Sequence, residues 1–270
     1  MIRDSIKDLK YFKDYSKGFE RRTKKRLTKF KNGEISAERV QTVKLDMALK
    51  YLHKSIAGYS MGLAASSIKP DYFEALKLIH QYWPGGWKIC DEYGQELNQY
   101  GLGIYGELLR LISLGILIDI PSNEISKIAE VLELDGVRDL IYSYLLSSRL
   151  RDTEFSAEES YQKYFYIPQV YQKLRQAILE SSKFDSQKLI NNFIRDDWYQ
   201  KHSELNEGPF ESHKSPHDIY YGYWCFEAAA VVKIKGLDDS SFRDHPYYPA
   251  DLVHGMDNPP PKEKKGFFGW

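Results

Sequence analysis

Leu45, Leu49, Leu52, Ile56, Tyr59 and Leu63 recur at alternating spacings of four and three. At 100° per residue that rhythm gathers all six on one helical face, whereas a strand would need apolar residues at every second position. The spacing predicts a helix over 36–67, roughly 48 Å long at 1.5 Å per residue. A rod of that length anchors a bundle. The stretch 4–31 predicts a preceding helix that ends near Asn32-Gly33, so the two form an antiparallel hairpin.

The same period dominates the chain beyond this rod. After Lys69-Pro70, Tyr72, Leu76, Ile79 and Trp83 share one side of a shorter helix that Pro84-Gly85-Gly86 stops. Residues 104–117 are apolar almost all round, which predicts a helix buried on several sides. Ile120-Pro121-Ser122 reads as a junction, with Ser122 capping a helix through Leu132 and Asp135 capping another over 136–147. The charged segment 149–159 is an exposed connection. Helices are expected at 161–181 and 186–201, then a polar loop over 202–214. A last helix should open with Ser215 as N-cap, Pro216 in its first turn and Asp218 reaching back, and close before Gly236. No strand alternation and no fixed-period repeat is evident, so the expectation is an all-α, bundle-like protein of two helical halves, 1–121 and 122–257. Residues 258–270, NPPPKEKKGFFGW, read as a mobile tail.

Charge is balanced in total and divided along the chain. Residues 1–34 hold twelve Lys/Arg against five Asp/Glu, a difference of +7, while residues 151–257 hold twelve against eighteen, a difference of −6. An acidic surface suits an inhibitor of a nucleic-acid enzyme, because the enzyme's cationic groove attracts it. The two cysteines, Cys90 and Cys225, offer no disulfide framework and fit a reducing compartment. The start lacks an apolar targeting stretch, and the run Leu111–Ile118 is too short to span a bilayer, so a cytoplasmic protein is expected.

Enzyme signatures are weak. His213 and His217 are four apart, but Pro216 between them places them astride a helix start, and Glu227, His245, Asp251 and His254 complete no ligand pattern. Neither a metal nor a cofactor is expected. Cys225 lies among aromatic residues with no adjacent base. Glu227 follows an aromatic run on a helix read as buried and needs a partner there: Arg243, a backbone amide or a tyrosine hydroxyl. The basic run Arg21-Arg22-Thr23-Lys24-Lys25-Arg26, extended by Lys29 and Lys31, is interleaved with Phe19, Leu27 and Phe30 and reads as the solvated face of an amphipathic helix. Phosphate contact by that helix is the alternative function, and a metal-dependent hydrolase a weaker one.

The most specific pattern lies over 219–254. Tyr221-Gly222-Tyr223-Trp224 precedes Phe226-Glu227-Ala228-Ala229, then come Asp238-Asp239-Ser240, Asp244-His245-Pro246-Tyr247-Tyr248-Pro249 and Asp251-Leu252-Val253-His254. This run resembles the carboxy-terminal domain of the polymorphic nuclease effector immunity family, PoNi. Leu108–Pro121 is the best-matching stretch of a companion amino-terminal PoNi domain. The resemblance implies a non-enzymatic immunity protein that binds and neutralises a cognate secreted bacterial DNase, a PoNe-like effector, through protein–protein contact, without direct nucleic-acid or membrane binding. Tyr221, Gly222, Trp224, Glu227, Asp239, Ser240, Asp244, Pro246, Tyr247, Tyr248, Pro249, Asp251 and His254 are read as framework. A long stretch without helical pattern inside a compact domain has to be held by its own side chains, here by Asp239, Ser240 and Asp244 bonding nearby amides. Charge and loop position, not a family motif, select the expected toxin contacts: Asp196, Asp197, Tyr199, Glu204, Glu207, Phe210, Glu211 and Asp218.

Overall fold

A computed structural model describes residues 2–151, 155–157, 160, 169–205 and 209–255. The fold is mostly helical, with one small hairpin. Helix α1 spans Leu9–Lys31 and α2 Ala37–Met61. Helix α1 begins five residues later than the expected start at 4, capped by Asp8, which accepts from the Tyr11 amide at 2.8 Å. Helix α2 ends six residues earlier than its apolar stripe suggests, because Gly62 turns left-handed at φ 99° and takes Leu63 off the helical path.

Helix α3, Ala65–Tyr82, packs along α2 and carries Pro70 inside it. Sequence alone places this proline ahead of the helix. It is tolerated one turn in, where it removes a single N–H, and Tyr72, Leu76, Ile79 and Trp83 are all buried as their spacing predicts. An antiparallel hairpin comes next, β1 Lys88–Cys90 and β2 Glu96–Tyr100. Strands of three and five residues, with a register irregularity, carry too little alternation to be read from sequence.

Helix α4, Leu102–Leu117, is buried on nearly every side. Helix α5 spans Ser122–Asp135 and α6 Leu140–Ser147. Two expected caps are different residues. Pro121 occupies the N-cap of α5, while the Ser122 hydroxyl donates to the Arg149 carbonyl at 2.9 Å. Asp135 is the buried last residue of α5, and α6 is capped by Asp139, which accepts from the Tyr142 amide at 2.8 Å. The Asp135 carboxylate instead receives the Tyr100 hydroxyl and the Gly85 amide, fastening the hairpin and the α3 turn to α5.

Helix α7 spans Gln172–Leu179 and α8 Lys183–Asn192, and the backbone widens into a π-helical turn over Phe193–Trp198 before α9, Tyr199–Glu204. Most of the first half of the helix expected at 161–181 lies outside the described residues, as do Glu207 and the tail at 258–270. Helix α10, Phe226–Lys235, lies against α4 and ends at left-handed Gly236, and α11 is Ala250–His254. The expected opening of α10 at Ser215 and Pro216 is wrong: residues 218–225 take no helical conformation. Gly222 has φ 113°, and a Cβ there would lie 2.1 Å from the Ser60 hydroxyl, so this segment is pressed flat against α2. One apolar core runs through both halves, from Phe12 to Leu252.

Candidate interaction face and the framework behind it

The segment 219–254 directs Tyr220, Tyr221, Trp224, Glu227, Asp239 and Asp251 inward. Ser60 on α2 donates to the Tyr221 carbonyl at 2.8 Å and accepts the Trp224 indole N–H at 2.8 Å, which fixes the chain on either side of Gly222. The Tyr220 hydroxyl bonds Asp4, and its backbone exchanges hydrogen bonds with the Tyr11 hydroxyl. Asp251 is buried between the Arg3 guanidinium at 2.6 Å and the Tyr59 hydroxyl. Arg3 also donates to the carbonyls of Tyr59 and Leu63. One carboxylate therefore ties the amino terminus, α2 and α11 together.

Asp239 organises the long loop after α10. Its side chain is fully buried and faces Arg243 Nε at 2.8 Å, the Tyr248 hydroxyl at 3.1 Å and His254 Nε2 at 2.7 Å. The role expected of Asp239 toward backbone amides falls to Asp238, which accepts from the Ser240 amide at 3.0 Å. Ser240 and Asp244 face solvent, whereas Tyr248 and Pro249 are buried. Arg243 is committed to Asp239, so Glu227 takes another partner, the indole N–H of Trp198. Burial pushes the Glu227 carboxyl above the usual carboxylate range, and burial followed by the Glu227 charge pushes the Cys225 thiol up. Neither group is poised for chemistry at an open surface.

A second buried network joins the halves. Glu107 on α4 pairs with Arg110 at 2.7 Å and His53 at 3.0 Å and receives the Tyr221 hydroxyl at 3.3 Å, while His53 stacks on the Tyr221 ring at 4.0 Å. Burial acts to raise the Glu107 pKa, but the charges of Arg110 and His53 outweigh it and hold the carboxyl at about 2.

Outside this framework, aromatic rings gather at the surface. Tyr199 and Tyr247 stack at 5.1 Å, and Tyr199 also meets Phe210 at 5.4 Å and Tyr223 at 5.2 Å. Phe210 is nearly buried beneath them, stacked on His202 at 4.6 Å. Trp198, the last residue of the π-helical turn, and Tyr199, the first of α9, both pack on Phe210, at 5.2 Å and 5.4 Å. The Tyr199 hydroxyl donates to Glu211 at 2.9 Å. Glu211 has φ 64°, an uncommon backbone state outside glycine, and bonds to Lys214 and Tyr199 hold its pKa below the ordinary value. Tyr199, Tyr247, Glu211, His213 and His245 are all half-buried, so the cluster presents ring faces and edges to solvent.

Residues 3–130 match the family model of the PoNe immunity protein (PoNi), N-terminal, and residues 137–252 that of the PoNe immunity proteins (PoNi), C-terminal. The chain belongs to the PoNi family. PoNi immunity proteins are non-enzymatic inhibitors, and membership implies binding of a cognate PoNe toxin protein. The crystal structure of Protein PA2201 from Pseudomonas aeruginosa resembles this PoNi fold with a TM-score of 0.59 over 92% of this chain and 86% of that chain, at 17% sequence identity. At that identity the likeness concerns fold alone. Among curated proteins none matches the sequence.

The PoNi structure divides the expected contact residues. Asp196, Glu204 and Asp218 are exposed, and Tyr199 and Glu211 are half-buried in the aromatic cluster. Asp197 is buried between Lys173 at 3.1 Å and Lys201 at 3.2 Å, and Phe210 underlies the cluster, so both support the face from within. Tyr247, read from sequence as framework, is half-exposed in the same cluster as Tyr199. Sequence spacing hides this, since the two are 48 positions apart and meet only because the loop after α10 returns to α9. Among the described residues no group of three or more His, Cys, Asp or Glu could hold a metal ion, as His213 is bonded to Tyr223 and Glu227 to Trp198. No helix among the described residues is long and apolar enough to cross a membrane.

Proposed function

We propose that this PoNi protein neutralises a cognate PoNe toxin that is a DNase, in the cytoplasm, by covering it with the face built around Tyr199 and Tyr247. The observation that carries the reading is the half-exposed aromatic cluster bordered by Glu211, set directly on a framework whose buried polar groups are bonded to one another. Interface hot spots favour large aromatic residues that are rigid before binding. Tyr199 is held by three ring neighbours and by Glu211, so it loses little freedom on docking. Exposed Asp196, Glu204 and Asp218 lie in the same stretch of chain and suit the cationic groove that a DNase needs for its substrate.

The test is inhibition of the purified toxin by purified immunity protein. Direct binding predicts that DNA cleavage falls in proportion to added protein and stops near equimolar amounts, with a complex recovered by size-exclusion chromatography. Protection by strongly substoichiometric amounts would require turnover and overturn the reading. Cys225→Ser and His213→Ala should both protect cells on co-expression, because neither side chain has a chemical role.

A further inference from the structure

The immunity reading leaves the cationic outer surface of α1 unused. Lys13, Lys17, Arg21, Lys25 and Lys29 recur at every fourth position, and all five are exposed. Successive members are about 6 Å apart along the axis, so the ladder runs about 24 Å. None of the five lies within ion-pair distance of a carboxylate among the described residues. The acids near them are occupied elsewhere: Asp14 pairs with Lys10 at 3.3 Å and Glu20 faces Lys54 at 3.8 Å.

Folding gains little from this surface. The buried residues of α1 are Phe12, Tyr15 and Phe19, all in its first half, and no residue from Glu20 to Lys31 is buried. Leu27, expected on the inner face, is 49% exposed. Like charges at i,i+4 destabilise a helix. Four successive like-charged steps on a helix whose second half has so little tertiary support are a cost with no structural return.

We infer that this ladder is a binding site for the phosphate backbone of nucleic acid. A chain of phosphates needs closely spaced cations along its path and no apolar pocket, and the ladder offers such a path, winding about 160° round α1 over its length. A protein interface would need an aromatic or aliphatic anchor, and a membrane surface an apolar face to insert; the five ladder positions supply neither. The site does not rest on the proposed DNase reading. Its near end adjoins the interaction face, since Tyr11 on the same helix bonds the Tyr220 backbone and Tyr220 packs on Tyr223 at 4.8 Å.

The experiment is fluorescence anisotropy of a labelled 20-base-pair duplex with the purified full chain, without toxin, from 50 to 200 mM salt. Binding should weaken with a log–log slope of about −4.5, as expected for roughly five phosphate contacts. Lys17→Glu, Arg21→Glu and Lys25→Glu together should reduce affinity at 50 mM salt at least tenfold and flatten the slope. The same triple variant should melt no lower than the parent, because it turns the two outer like-charged steps, 13/17 and 25/29, into opposite-charged ones and leaves the number of inner like-charged steps unchanged. It should also still neutralise the toxin. Absence of duplex binding at 50 mM salt, or equal binding by the triple variant, overturns the inference. So does binding to phosphatidylserine vesicles in place of the duplex. Loss of toxin neutralisation in a folded triple variant would assign the ladder to the toxin interface instead, an outcome separable from failure of the DNase reading, in which the parent protein itself gives no inhibition.

Discussion

The segments 219–254 and 196–218 lie against one another and treat their side chains in opposite ways. In the first, Tyr220, Trp224, Asp239 and Asp251 turn inward: Tyr220, Trp224 and Asp251 find partners in the amino-terminal half, and Asp239 finds Tyr248 within the segment itself. In the second, Asp196, Glu204 and Asp218 face solvent and Tyr199 is half-covered. A module that recognises a particular toxin needs both behaviours. Contact residues can change only if they bear little of the fold, and a framework can be rigid only if its polar groups are spent internally. The boundary between the behaviours is Tyr247, which is read as framework from sequence and is half-exposed beside Tyr199.

The strongest challenge to this division is Trp224→Ala. The indole is buried and its N–H is held by Ser60, so truncation should cost about 3 to 5 kcal/mol. A chain of this size then melts roughly 6 to 20 °C lower. A soluble variant with unchanged melting temperature and no toxin binding would move Trp224 into the interface and erase the distinction. Arg3→Ala should be nearly as damaging, about 3 kcal/mol, because it leaves Asp251 buried without its cation. Thermal melts of Arg3→Ala and of Arg3→Ala with Asp251→Asn separate the two effects: the double variant should recover part of the loss, since the uncompensated charge is gone.

His202 lies on the dividing line, with its ring under Phe210 and its nitrogens bonded to the Trp198 carbonyl at 2.7 Å and the Tyr171 hydroxyl at 3.0 Å. Burial holds its pKa down from 6.5 to about 4. The unfolded chain therefore binds a proton below pH 6.5 that the folded chain refuses, and stability falls as pH drops from 6.5 toward 4. The full effect is at most about 3 kcal/mol. Denaturant midpoints measured across that window should fall steeply for the parent and less steeply for His202→Gln. An equal slope would mean that the root of the face is hydrated, and the aromatic cluster looser than its geometry implies. His213 titrates in the same direction, also through burial, so the difference between parent and variant is the informative quantity.

Legibility in the sequence divides along the same line. Helices with a long apolar period are readable because Leu45 to Tyr59 and Tyr72 to Trp83 meet neighbours on one face, and glycines mark several of their ends. Positions where tertiary contact overrides a local signal mislead. Ser215 and Pro216 form a good helix start in isolation, yet the chain stays non-helical until Cys225 because the Tyr221 carbonyl and the Trp224 indole are both held by Ser60 across Gly222. Asp135 looks like a cap and is taken by Tyr100. The hairpin is too short to show a period. At the candidate face, the acidic and aromatic residues of 196–218 can be named from sequence, but not sorted. Asp197 is buried and Asp196 exposed on the π-helical turn, which has no sequence period of its own, and Phe210 is covered by Trp198 and Tyr199 through a contact that spacing does not announce.

Tyr199→Ala tests whether the half-covered ring is an anchor. It should weaken toxin binding by about 2 kcal/mol, roughly thirtyfold, while lowering the melting temperature by only a few degrees. Titration calorimetry beside a thermal melt gives both numbers. A loss confined to stability would make Tyr199 a part of the framework and leave Tyr247 as the remaining aromatic candidate on that face.

The smallest effect is expected from the exposed charges, and it sharpens the comparison most because no fold change should accompany it. Reversing Asp196, Glu204 and Asp218 together to Lys removes side chains that face solvent. Glu211 is left intact because the Tyr199 hydroxyl and Lys214 depend on it. Exposed charges at a rim contribute about 1 kcal/mol or less each, and act mainly on encounter. Lys173 lies 3.8 Å from Asp196 at the edge of the face, so reversal also brings two cations together, but at a solvent-exposed position where screening is strong. The association rate with the toxin should therefore fall about tenfold at low salt and converge on the parent value at high salt, with dissociation and melting temperature little changed. Stopped-flow association at two salt concentrations decides the matter. An unchanged rate and salt slope would show that attraction to the toxin comes from another acidic surface, and that 196–218 contributes fit through its rings without steering.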